Sequence, residues 1–283
     1  MRRLRCLAPG KVNLCLFVGA PRADGLHPLV SVVQSVSLAD ELTLEPAPPG
    51  AEDDEVVCPG VEGPNLAARA LAAFRAATGW DAPPQRLTIR KRVPVAAGMG
   101  GGSGAAAAAL RLAAHAAGGA DHDLLLELAA GLGGDVPSQV APGRTLMTGA
   151  GERVRPLPDA EPFGLVVLPS AHALATPDVY RAFDALGRPR RPEELARLEQ
   201  TADRLPPHND LQEAARRLCP AIDPALASVA ATGAGHTLVS GSGPTVFGVF
   251  PGADGIARAR EAAARVGGVA AEPVAPQFAA VRT

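Results

Sequence analysis

The stretch PVAAGMGGGSGAAAAALRLAA, residues 94–114, sets the chain's most flexible residues directly against its best helix formers. Five of the seven residues from Gly98 to Gly104 are glycine, and a nearly pure alanine run follows. The preceding segment, PQRLTIRKRVPV, reads as a strand, and AAAAALRLAAHAAG as a helix. Glycine reaches positive φ and lets backbone N–H groups turn inward on an anion. A helix that begins at once adds unpaired N–H groups and the positive end of its dipole. Strand, glycine loop and helix together therefore predict a phosphate-binding device.

Other glycine devices fit less well. A P-loop needs lysine after its last glycine, and Ala105 follows Gly104. A nucleophile elbow needs glycine on both sides of its serine. Ser103 has Gly101 before it but Ala105 after it. The dinucleotide fingerprint is met by Gly100, Gly102 and Ala105, yet GADHDLLLELAA, where a strand ending in an acid should follow, reads as another helix. A dehydrogenase stays a minor alternative.

Outward from the loop, GKVNLCLFVG and LVSVVQSVSLADELTLEP read as strands around the turn APRADGLHP, and PAPPGAEDDE as a surface excursion. GPNLAARALAAFRAATG reads as a helix, and DHDLLLELAAGLGGDVP as one begun by an acidic cap and ended by Gly-Gly. The pattern then restarts. FGLVVLPS is a strand and TPDVYRAFDALG a helix capped by Thr176. RPEELARLEQTADRL and HNDLQEAARRLCPAIDPALASVAATG read as helical, the latter as a pair. Two strands about a Ser-Gly turn follow in GHTLVSGSGPTVFGVF, then a helix in ADGIARAREAAARVG and a last strand in GGVAAEPVA. This mixture predicts an α+β fold in two lobes, residues 1–155 and 156–283.

Net charge is −2 over 283 residues, so nothing draws the whole chain to nucleic acid or an anionic membrane. RLTIRKRVP is the one basic run and reads as a solvated strand face. With aromatics at 3%, the cores must be built from Ala, Val and Leu. Cys6, Cys15, Cys58 and Cys219 lack metal or redox spacing and read as small buried hydrophobes in a reducing compartment. The opening MRRLRCLAPGKVNLCLFVGA is interrupted by Pro9, Gly10, Lys11 and Asn13, unlike a signal peptide. A soluble cytoplasmic protein is expected. Only two of 27 basic residues are lysine: Lys11 in an apolar strand pattern, and Lys91, expected to be solvated.

PVAAGMGGGSGAA resembles the ATP loop of the GHMP kinases, whose pattern is proline, small residues, Gly-Leu-Gly and Ser-Ser. APGKVNLCLFVGAPRADGLHPLVSVVQ, LGGDVP, HNDL and SGSGPTVFGVF are similar, in the same order, to motifs of the branch that phosphorylates a diphosphocytidyl methylerythritol on its 2-hydroxyl, a step toward isoprenoids. The resemblance implies a two-lobed α+β fold with ATP and substrate meeting between the lobes. It also implies ATP as phosphoryl donor, Mg²⁺, a small-molecule substrate, no nucleic-acid or membrane partner, and a monomer or weak homodimer. Asp135 matches the catalytic aspartate and Lys11 its partner. Pro94, Val95, Ala96, Ala97, Gly98, Met99, Gly100, Gly101, Gly102, Ser103 and Gly104 match the ATP loop.

On the substrate side the resemblance points to Asn13, His27, Tyr180, Thr176 and Asp135, with Asp24 and Asn209 as weaker candidates. Ser103 is the one candidate metal ligand, and Asn65 a candidate for the adenine pocket. Gly104 replaces the second serine of the loop, and Leu26 stands where an aromatic is usual. Met99 for leucine is neutral in volume. Two rivals remain: another GHMP kinase, of mevalonate or homoserine type, and a silent nucleotide-binding protein on the same fold. Intact Lys11 and Asp135 argue against the second.

Overall fold

The computed structural model describes residues 3–95 and 97–283. Ala96 of the expected ATP loop lies outside the described residues. The chain opens on two long antiparallel strands, β1 (Leu4–Val18) and β2 (Leu29–Pro46), paired from Leu4↔Leu44 to Val18↔Leu29. Val- and Leu-rich sequence favours this pleated pair. The register shifts at Pro9/Gly10 and again between Asn13 and Cys15, so β1 bends on both sides of Lys11.

Strand β3 (Glu55–Val57), which begins at the last residue of the expected surface excursion, pairs in parallel with β4 (Gln85–Arg90), and β4 pairs with β2. Between them lies α1 (Leu66–Thr78), capped by Asn65, whose side chain accepts the Ala67 N–H. Helix α2 (Gly101–Ala116) leaves the glycine loop, and α3 (His122–Leu132) is capped by Asp121 and closed at Gly133. Two short strands that the sequence did not announce, β5 (Arg144–Thr148) and β6 (Arg153–Pro156), extend the sheet from β2. Leu42, Leu44, Leu87 and Ile89 of the sheet meet Leu71 and Phe74 of α1 and Leu110 and Leu112 of α2 in one core. Ala105 to Ala109 are all buried. Their methyl-sized side chains let α2 run close to β1 on one side and α1 on the other.

A second, antiparallel sheet holds β7 (Phe163–Leu168), β9 (His236–Val239), β10 (Val246–Pro251) and β11 (Val269–Ala271), in the order β11-β7-β10-β9. Its strands alternate between two cores. Val166, Val246 and Phe250 pack with α4 (Thr176–Leu186), α6 (Gln212–Leu218), α7 (Ile222–Ala230) and α8 (Gly255–Val266). Leu165, Val167, Phe247 and Val249 face Val12, Val36, Val93 and Met99 from the first half. The two sheets thus share a core behind the glycine loop. Helix α5 (Pro192–Gln200) covers the other side of β2 through Leu195. Strand β8 (His208–Asn209) pairs with β1, and Arg5 bridges Arg282, so late segments complete the first sheet.

Two local expectations are corrected. Gly101 to Gly104 form the first turn of α2 rather than a loop ahead of it. Thr176 is the first residue of α4, whose cap is Ala175 with no side-chain cap bond. Thr176 instead shares a hydrogen bond of 3.0 Å with the Ser242 hydroxyl.

Candidate active site

A cleft of about 970 Å³ opens between β1, the start of α2, the start of α4 and the β9–β10 loop. Lys11 and Asn13 stand two apart on β1, so both point to its cleft side. Lys11 is 3% exposed, and a buried ammonium needs partners. Its Nζ donates to Asn13 Oδ1 at 2.7 Å and lies 3.2 Å from Asp135 Oδ2. An ammonium has three N–H donors, and these two partners leave one for the cleft.

Asn13 is itself fixed. Its Nδ2 donates to Ser31 Oγ at 2.8 Å, and the Ser31 hydroxyl donates to the Cys15 carbonyl at 2.6 Å. Asp135 sits at the turn between α3 and the short 3-10 helix Pro137–Gln139, half-exposed to the cleft. A carboxylate open to the cleft beside a buried cation can hold a substrate hydroxyl.

The glycine loop is clamped from two sides. The Lys11 N–H donates to the Met99 carbonyl, which ties the loop to β1. The Ser240 hydroxyl donates to the Gly98 carbonyl at 3.0 Å from the β9–β10 loop. Gly98 has φ +76°, and a Cβ there would stand 2.2 Å from the Ser240 carbonyl oxygen. Only glycine fits. Gly100, at φ +64°, lets the Lys11 stem pass, since a Cβ would lie 3.0 Å from its Cγ. The N–H groups of Gly101, Gly102 and Ser103 have no intrahelical acceptor, as at any helix start, and they border the cleft. A loop whose donors face open space at the positive end of a helix can bind phosphate.

The expected residues sort by position. Pro94, Val95, Ala97, Gly98, Gly100 to Ser103, Asn65, Thr176, His27 and Tyr180 all border the cleft. Met99 does not: its side chain is fully buried in the core between the sheets, and only its carbonyl serves the loop. Gly104 is turned to β1, where a Cβ would stand 2.9 Å from the Pro9 carbonyl. Asp24 is outside the cleft, capping its own turn by accepting from Leu26 N–H and pairing with Arg22. Asn209 is buried, donating to the Val239 and Gly241 carbonyls and so holding the β9–β10 loop.

Lys91, expected in solvent, is half-buried at the cleft and pairs with Asp40, a carboxylate with no exposure. Asp40 also accepts the Arg92 and Val93 N–H groups at 2.7 and 2.8 Å, which fixes the strand's exit into the glycine loop. Elsewhere in the basic run Arg86 pairs with Glu55 and Arg92 with Glu41, while Arg90 is exposed as expected. The adjacent acids Asp40 and Glu41, interrupting the apolar β2 pattern, were the available signal for Asp40. Ser31, Ser242 and Asp184, also on the cleft, carried none beyond ordinary polar residues. At the far end, His27 bonds Asp184 and lies against Tyr180 with ring centroids 4.8 Å apart. Burial pushes the Tyr180 phenol up, and the nearby Asp135 charge adds to it.

Residues 65–143 match the N-terminal domain of the GHMP kinases and residues 180–268 their C-terminal domain. The 4-diphosphocytidyl-2-C-methyl-D-erythritol kinase of Streptomyces coelicolor is 43% identical, with 84% of each chain covered. That of a Nocardioides species is 42% identical with 94% of each covered. The chain belongs to the GHMP kinases, in the family of the 4-diphosphocytidyl-2-C-methyl-D-erythritol kinases. A crystal structure of a 4-(cytidine 5'-diphospho)-2C-methyl-D-erythritol kinase is similar at 35% identity and a TM-score of 0.74, covering 96% of this chain and 99% of that one. The homoserine kinase of Cytophaga hutchinsonii shares the fold at a TM-score of 0.69 and 14% identity, with 100% of this chain and 98% of that one covered. As a GHMP kinase the chain is an ATP-dependent small-molecule kinase with the α+β fold of that family.

Proposed function

We propose that this GHMP kinase transfers the γ-phosphoryl group of ATP to the 2-hydroxyl of 4-diphosphocytidyl-2-C-methyl-D-erythritol, in the methylerythritol phosphate route to isoprenoids. The observation that carries the reading is the buried Lys11, bonded to Asn13 and to Asp135 at 3.2 Å, at the edge of the glycine loop. Around that pair, near-full-length relatives at about 40% identity act on this compound.

A carboxylate is too weak a base to strip an alcohol early. Asp135 therefore orients the attacking hydroxyl and takes its proton late, as the new O–P bond forms and the bond to the ADP oxygen breaks. The third donor of Lys11 faces the transferring group and offsets its charge. The free N–H groups at the start of α2 hold the other phosphates in line. His27 and Tyr180 bind the cytosine end, and Asn13 keeps Lys11 aimed.

Among the described residues no three His, Cys, Asp or Glu side chains gather as a metal cage. The Ser103 hydroxyl and the Asp135 carboxylate, hard oxygens on the cleft, are the residues that would help hold a Mg²⁺ carried in by the nucleotide. Such an ion would supply positive charge against the phosphates during transfer.

We also take the lobe boundary to lie at the end of β6, near residue 155, and the protein to be a cytoplasmic monomer or weak homodimer. Buried free thiols at Cys6, Cys15 and Cys219 suit a reducing compartment, and no helix among the described residues is long and apolar enough to cross a membrane. The test is ADP release with Mg²⁺-ATP, comparing the cytidyl compound with mevalonate, homoserine and galactose. Turnover with the cytidyl compound alone is expected. Turnover with another alcohol instead would overturn the substrate, and silence with all four would overturn the kinase reading.

A further inference from the structure

We infer that Asp184 is a positioning residue that fixes the tautomer of His27, and through it makes the site prefer a cytosine to a uracil. The inference rests on the substrate reading above. His27 Nε2 lies 2.8 Å from Asp184 Oδ1. An ionised carboxylate only accepts, so the Nε2 position carries the proton. In the neutral ring Nδ1 then holds a lone pair. His27 Nδ1 makes no hydrogen bond among the described residues, and the residue borders the cleft.

The ring is not free to turn. Tyr180 lies against it at 4.8 Å between centroids, tilted by 41°, and Phe183 meets it edge-on at 6.3 Å. Tyr180, Phe183 and Asp184 stand at i, i+3 and i+4 on α4, so one helical face supplies two walls and the proton acceptor. Asp184 needs no substrate contact to act, because it sets what the opposite edge of the imidazole presents.

An acceptor at Nδ1 matches a donor on the base. Cytosine offers its exocyclic 4-amino group there, whereas uracil offers a carbonyl oxygen that would face the lone pair. A site built to accept a proton from one base leaves the other unpaired and repelled, which is how a single polar contact discriminates strongly. Without the carboxylate the proton is free to sit on Nδ1, which would then donate to the uracil oxygen. The discrimination is therefore placed in Asp184, behind the ring that reads the base.

The experiment compares the intact enzyme with Asp184→Ala and Asp184→Asn, using the cytidyl substrate and its uridine counterpart. Asp184→Ala is expected to raise KM for the cytidyl substrate by about tenfold and to lower the cytidine-over-uridine preference by a similar factor. Its kcat and its KM for ATP should stay within about twofold. Asp184→Asn, which keeps an acceptor oxygen, should retain most of the preference. The ¹⁵N spectrum of His27 should show a protonated Nε2 and an unprotonated Nδ1 in the intact enzyme, and a mixture in Asp184→Ala. An Ala variant with unchanged KM and preference would overturn the inference while leaving the substrate reading intact, as would a protonated Nδ1 in the intact enzyme. If Asp184→Ala does not fold, the ¹⁵N spectrum of the intact enzyme decides alone, and a protonated Nδ1 there overturns the inference. An intact enzyme that ignores the cytidyl compound would overturn the substrate reading and this inference together.

Discussion

Gly98 and Gly104 differ from the other glycines of the loop in what surrounds them. A Cβ at Gly98 would collide with the Ser240 carbonyl at 2.2 Å, in a backbone conformation with φ +76°. Gly98→Ala should therefore unseat the β9–β10 loop, cost about 2 kcal/mol of stability and raise KM for ATP by about tenfold or more. Denaturant titration and initial-rate kinetics read both effects. Gly104 stands where the family resemblance expects serine, and a Cβ there would lie 2.9 Å from the Pro9 carbonyl. Gly104→Ser should lose about 1–3 kcal/mol in the same titration with no gain in rate, because β1 runs too close to α2 for a larger residue. The loop's glycines were readable in the sequence because positive φ and close approach admit few alternatives. Lys91 was not, because its partner Asp40 is 51 residues away on another strand and local sequence does not encode that pairing.

At the scale of elements, α2 is what brings Lys11 and Asp135, the proposed catalytic pair, together. Arg111, in its middle, donates to the Leu7 carbonyl of β1 at 2.9 Å and to the Gln139 carbonyl of the 3-10 turn beyond Asp135. One guanidinium thus joins the strand that carries Lys11, the turn that carries Asp135 and the helix that begins the phosphate site. Burial presses its pKa down, so its hydrogen bonds must hold it. Arg111→Met should leave both carbonyls unpaired, cost about 2–4 kcal/mol by thermal or denaturant unfolding, and lower kcat about tenfold with a smaller change in KM for ATP. The alanine run made α2 legible, but not its start. Glycine is a poor helix interior residue, so propensity places Gly101 to Gly104 outside a helix that in fact contains them. Strands β3, β5 and β6 were missed for a related reason. They are three to five residues long, and their place is set by their neighbours (β4 for β3, β2 for β5, β5 for β6) rather than by their own pattern.

At the scale of the molecule, Asp210 ties distant segments together. It accepts the Val18 N–H at the end of β1 and bonds His208 of β8 and Arg190 ahead of α5. Burial alone would push its carboxyl up, but the hydrogen bonds from His208, Arg190 and Val18 outweigh it and bring it down to about 2. A depressed carboxyl stabilises the fold above its unfolded value, near 4, and that contribution is lost as pH falls toward 2. Denaturant midpoints should show about 2 kcal/mol of such loss, and Asp210→Asn should be weaker at neutral pH and flatter across the acid range. The α+β mixture could be read from alternating strand and helix patterns. That Val12, Val36, Val93 and Met99 meet Leu165 and Phe247 across the two sheets could not, because a strand buried on both faces shows no preferred side in its sequence.

The proposed role of Lys11 and Asp135 is phosphoryl transfer to an alcohol of the cytidyl substrate. The most direct measurement is ³¹P NMR of the reaction with Mg²⁺-ATP, on the intact protein and on Asp135→Asn, with ATP binding measured on both. With the intact protein a new phosphomonoester signal should appear beside an intact diphosphate, and with Asp135→Asn none should, although that variant still binds ATP. A monoester formed equally well by Asp135→Asn would contradict the proposed role.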